Sequence, residues 1–69
     1  MEPRSKRHED AARRHDEAAQ RHDEAVAFWT KRGDAERVEL QGRGAELERD
    51  LAQLERDWAR IESERPVSK

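Results

Sequence analysis

Three histidines, His8, His15 and His22, stand seven residues apart, and the next step along the same column is Trp29. Imidazole ligates metals, carries protons near neutral pH and hydrogen-bonds carboxylates, so this column is where chemistry could reside. Spacing narrows the choice. On one helix a seven-residue step is about 10.5 Å of axial rise, whereas two ligands for one ion on one helix need i,i+3 or i,i+4 spacing. His8, His15 and His22 are therefore metal candidates only if a second helix or a second chain supplies the other ligands, and zinc would want about four in all. A pH-responsive column is the second reading, because stacked imidazoles repel when charged. The third, favoured by the alanines around the column, is structural: half-buried seam residues hydrogen-bonded to Glu48, Glu55 and Glu62, which also recur every seven residues. In an antiparallel helix pair the expected partners are His22–Glu48, His15–Glu55 and His8–Glu62.

Nothing else in the chain suggests catalysis. There is no cysteine, and Ser5, Ser63 and Ser68 lie near the chain ends. No glycine-rich phosphate loop follows a strand. The carboxylates are interleaved with arginines, which favours ordinary titration over the raised values of acid–base catalysts. The reading is a non-enzymatic chain without a cofactor.

The elements that carry the histidines follow from the same repeat. The blocks beginning Arg7-His8, Arg14-His15 and Arg21-His22 each continue through acidic residues into alanine, and a seven-residue period of this kind marks a helix with one packed stripe. Pro3 and Ser5 suit a first turn and a cap. Pairs such as Glu9–Arg13, Asp10–Arg14 and Glu17–Arg21 each add ~0.2–0.5 kcal/mol. Thr30-Lys31-Arg32-Gly33-Asp34 reads as an ending: cations on the last turn, a glycine free to take positive φ, and an aspartate able to cap the next helix. The spacing predicts helix over about 4–32, a turn at 33–34, helix over about 35–64, and a short tail at 65–69 after the stop at Pro66. A break at Gly42-Arg43-Gly44 is the alternative, since two interior glycines cost ~1 kcal/mol each. If the turn is at Gly33, these glycines face Ala25, Val26 and Trp29 and could make room for an indole. Arg32-Gly33-Asp34 also spells an adhesion tripeptide, but helix-end chemistry explains each of its residues.

Composition bounds the rest. The 69 residues allow one small domain; 46% are charged and 32% hydrophobic, with formal net charge −2. Both signs are interleaved, so nucleic acid and anionic membrane are disfavoured as partners. No apolar run reaches membrane-spanning length, and charge follows Met1 where a leader would turn hydrophobic; the expectation is a cytoplasmic bacterial protein. The expected core and interface residues are Ala12, Ala19, Val26 and Trp29 on the first helix, with Leu40, Leu47, Leu51, Leu54, Trp58 and Ile61 on the second. Alanines on one helix should interlock with leucines and Trp58 on the other. Phe28, in the Arg7/Arg14/Arg21 column, is a possible exposed docking point near the turn. So small a core leaves a lone hairpin marginal, and two hairpins packed face to face make a four-helix bundle. The fold class expected is all-α, an antiparallel helical hairpin that self-associates, with a dimer favoured over larger assemblies and a larger protein partner also open.

The Arg-His-x-x-Ala-Ala-x pattern from Arg7 to Gln20 resembles small uncharacterised bacterial proteins built on His/Ala-rich heptads. That likeness covers about the first third of the chain and implies no particular activity. In shape the expected hairpin is similar to Rop-like proteins, dimers of helical hairpins that bind paired RNA loops. It implies, as the alternative to a protein-interaction module, a small nucleic-acid-associated regulator using Lys6, Arg7, Arg13, Arg14 and Arg21.

Overall fold

A computed structural model describes residues 4–64, which form helix α1 (Arg4–Arg32), a turn, and helix α2 (Ala35–Glu64). The roles proposed for Pro3, for the stop at Pro66 and for the 65–69 tail lie outside the described residues. The helices run antiparallel along one another in a rod of 57 × 17 × 10 Å. Among the described residues there is no strand, and no helix is long and apolar enough to cross a membrane.

The reversal at Gly33 is built from local chemistry. Gly33 adopts φ 74°, a region that costs an L-residue roughly 1–2 kcal/mol. Its N–H donates to Thr30 O and the Asp34 N–H donates to Trp29 O, both at 3.1 Å. This paired 5→2 and 6→1 arrangement closes the end of α1 on its otherwise orphaned carbonyls. Asp34 then opens α2: its Oδ1 accepts from the Arg37 backbone N–H at 3.0 Å, and its carbonyl accepts from Val38 N–H at 3.0 Å, the pattern of an N-cap. Lys31 and Arg32 sit in the last turn of α1 and Glu36 in the first turn of α2, each with the sign that the helix dipole favours. The alternative break is not adopted, for α2 runs unbroken through Gly42-Arg43-Gly44.

The packing between the helices departs from expectation. Among the described residues its buried members are all alanines: Ala12 and Ala19 from α1, and Ala45, Ala52 and Ala59 from α2. Val26, Trp29 and Ile61 are half-buried. Leu40, Leu47, Leu51, Leu54 and Trp58 are not buried by this contact and remain 42–63% exposed. The expected interlock of alanine with leucine inside the hairpin is therefore corrected to alanine against alanine. The physical reason is reach. Small residues on both helices permit a close approach of the backbones, and polar side chains meet across the seam.

Candidate functional site

The side chains with chemistry lie in layers between the helices. The His8 Nδ1–H donates to Glu55 Oε1 at 2.6 Å, and the His15 Nδ1–H donates to Glu48 Oε1 at 2.7 Å. Both pairs are part-buried, with side-chain exposures of 30% for each histidine and 26% for each glutamate. Nearest the turn, the His22 Nδ1–H donates to Gln41 Oε1 at 2.6 Å. The expected antiparallel histidine–glutamate ladder is present but shifted by one seven-residue step: His15 meets Glu48 rather than Glu55, His8 meets Glu55 rather than Glu62, and His22 meets Gln41 rather than Glu48. The tight Gly33 turn and the alanine seam set this register. Gln41 belongs to the same column as Glu48 and Glu55, so continuing that column one step toward the turn would have found it.

Each imidazole thus faces an acceptor on the other helix. The histidines do not face one another. Among the described residues no three His, Asp or Glu side chains converge as a metal's ligands would.

The two sides of the seam differ sharply. On one side the guanidinium of Arg56 donates to Asp16 Oδ2 and that of Arg49 to Asp23 Oδ2, both ion pairs between helices. The sequence reading missed these bridges, although Asp16/Asp23 and Arg49/Arg56 are each spaced by seven, the signal that could have revealed them. On the other side, His8 stacks on Trp58 with ring centroids 6.0 Å apart and planes 20° apart. Gly44, in the same column as Leu51 and Trp58, lies against His22: a Cβ there would fall 3.0 Å from Cε1 and 3.1 Å from each ring nitrogen. The room made by Gly44 therefore holds the His22 imidazole rather than an indole. Gly42 has open space where its Cβ would be.

That second side is apolar and open. Moving four residues along a helix turns about 40° around it, so Leu40, Leu47 and Leu54 flank the Gly44–Leu51–Trp58 column on its outer edge. From α1, the half-buried Ala11, Ala18 and Ala25 line the same side.

Near the turn, Phe28 and Trp29 meet edge to face with centroids 4.9 Å apart. Arg32 covers Phe28 at 4.3 Å and Arg37 covers Trp29 at 4.7 Å, contacts typical of cation–π pairing. Phe28 is 47% exposed. The Asp34 carboxyl is held below its ordinary value by the Arg37 backbone N–H and then by the Arg37 guanidinium. Asp10 is lowered likewise by hydrogen bonds from Lys6 and Arg13. Both are local helix-surface effects and form no site.

Compared with protein families, with curated proteins and with solved structures, the chain finds no match.

Proposed function

We propose that this chain is a non-enzymatic protein-interaction module, a coiled-coil-type hairpin that self-associates into a dimeric four-helix bundle. One observation carries the reading: Leu40, Leu47, Leu51, Leu54 and Trp58 lie along one side of the hairpin, each still 42% or more exposed. Among the described residues the interior of a single hairpin is five alanines, and burying a methyl-sized group contributes only about 0.8 kcal/mol. That is small beside an ordering cost of roughly 1.5 kcal/mol per residue. The large apolar side chains, each worth ~1.5–3 kcal/mol on full burial, gain most of that only when something covers them. A second hairpin has the right length and the same apolar stripe.

Polar chemistry supports the same division of labour. The histidine–glutamate layers and the arginine–aspartate bridges are used up in holding one helix to the other, which leaves the leucine side as the surface offered outward. Sedimentation equilibrium between micromolar and millimolar concentration tests the reading. The expected result is a dimer that dissociates on dilution, with Leu47→Glu remaining helical at high concentration but shifting strongly toward monomer. A wild-type chain that is folded and monomeric throughout that range refutes it.

A further inference from the structure

We infer that the second copy seats on the leucine side with its two-fold axis parallel to the rod, so that α1 of one chain lies over α2 of the other and both turns sit at the same end. This inference rests on the self-association proposed above and adds the sense of the pairing.

Two face-to-face arrangements are open to hairpins that share one apolar side. With the axis along the rod, α1 covers the partner's α2. With the axis across the rod, α1 covers the partner's α1, α2 covers the partner's α2, and the turns lie at opposite ends.

The rims of the apolar side choose between them. On α1 the row beyond Ala11, Ala18 and Ala25 is Arg7, Arg14 and Arg21, all exposed. Among the described residues none of these arginines makes an ion pair. On α2 the row beyond Leu47 and Leu54 is Arg43, Asp50, Asp57 and Glu64, acidic at all but the first position. His15 bonds Glu48 on one side of the seam and Asp16 bonds Arg56 on the other. Midway between those two registers Arg14 falls between Asp50 and Asp57, and Arg7 between Asp57 and Glu64. An axis along the rod preserves these levels between chains, so the arginine row meets the acidic row; Arg21, between Arg43 and Asp50, meets one charge of each sign. An axis across the rod sets arginines against arginines and carboxylates against carboxylates.

Size complementarity agrees. On the same levels Ala11 lies between Leu54 and Ile61 of the second copy, Ala18 between Leu47 and Leu54, and Ala25 between Leu40 and Leu47. The exposed leucines thereby gain the small-residue floor that they lack within their own hairpin. Crossing the axis the other way stacks leucine on leucine over α2 and alanine on alanine over α1, crowding one half of the interface and leaving voids in the other.

Lys31→Cys gives a single labelling position at the turn end, because the chain has no cysteine and Lys31 is exposed. In the dimer, spin labels there should lie roughly 20–30 Å apart, the width of a bundle with helices 8–10 Å apart plus the label arms. Turns at opposite ends would give about 45 Å, the length of some 30 helical residues, and would overturn this inference while leaving dimerisation intact. A monomer at every concentration would overturn both. Charge reversal supplies an independent sign. Arg14→Asp should raise the dimer dissociation constant about 2–30-fold, from two exposed pairs per dimer, and adding Asp50→Arg should restore it. Tighter dimerisation of the single variant, or no restoration in the double variant, overturns the pairing.

Discussion

Gly42 and Gly44 lie two residues apart inside α2, yet replacing them with alanine should have different consequences. Each interior glycine costs a helix about 1 kcal/mol relative to alanine. At Gly42 the new methyl meets open space, so Gly42→Ala should keep that full gain, about 1 kcal/mol, and raise the melting temperature by roughly 4–8 °C for a chain of this size. At Gly44 the methyl lies 3.0–3.1 Å from three atoms of the His22 ring, so the ring must move. Moving it breaks the 2.6 Å bond to Gln41, a loss of about 0.5–1.5 kcal/mol, and strains the side-chain torsion by a similar amount. These losses offset the helical gain, so Gly44→Ala should be neutral or destabilising by up to about 2 kcal/mol. Urea melts followed by circular dichroism at one fixed protein concentration measure both changes, the fixed concentration being needed because the proposed assembly would contribute to apparent stability. The His22→Ala background isolates the cause: without the imidazole, Gly44→Ala should stabilise about as much as Gly42→Ala. Equal stabilisation by the two alanines in the His22 protein would refute the argument, because the hydrogen-bonded ring would then impose no constraint.

Gly33→Ala should destabilise by roughly 1–2 kcal/mol, since φ 74° strains any side chain, and a thermal melt checks it. Asp34→Ala should lower the melting temperature at pH 7. Because the Asp34 carboxyl is held below 3.8, its contribution is present above that value and lost as pH falls through its depressed value; melts of wild type and variant should converge in strong acid, and a gap that persists there refutes the cap. A double-mutant cycle on His15→Ala and Glu48→Ala should show coupling of about 1 kcal/mol for a part-buried hydrogen bond, whereas His15 with Glu55 should show almost none. Ala52→Leu should destabilise by about 1–3 kcal/mol through overpacking, since Ala52 is fully buried, with loss of helicity on dilution as the readout.

The hairpin was legible because its reversal is encoded locally. Arg32, Gly33 and Asp34 each have one job at a helix junction, and each is the residue type that job requires. The existence of a histidine–carboxylate ladder was legible from matching seven-residue columns. Its register was not: columns of identical period fit together equally well one step apart, and only the turn geometry and the closeness of the alanines fix which step is taken. The partition of α2 was misread for a related reason. Large apolar residues are the usual core signal, so Leu40, Leu47 and Leu54 drew the expected seam toward themselves. Ala45, Ala52 and Ala59 form an equally regular column with a smaller hydrophobic signal. Which column packs against α1 depends on what α1 can accept. A surface of alanine, histidine and paired aspartate accepts a close, flat partner.

The two stripes of α2 then answer different demands. A seam of leucine would hold the helices toward the long end of their packing range and stretch the short, part-buried histidine–glutamate bonds, and a part-buried group without its partner costs more than its bond contributed. A seam of alanine gives up hydrophobic stabilisation but brings every polar layer into contact, so the hairpin gains register from directional bonds. Stabilisation that the seam forgoes must come from the other stripe, which can be covered only from outside. If a second copy covers that stripe, as proposed above, folding and association in this chain are one process. The residues that define the hairpin's shape bury little apolar surface, and the residues with more to bury lie where only another surface reaches them.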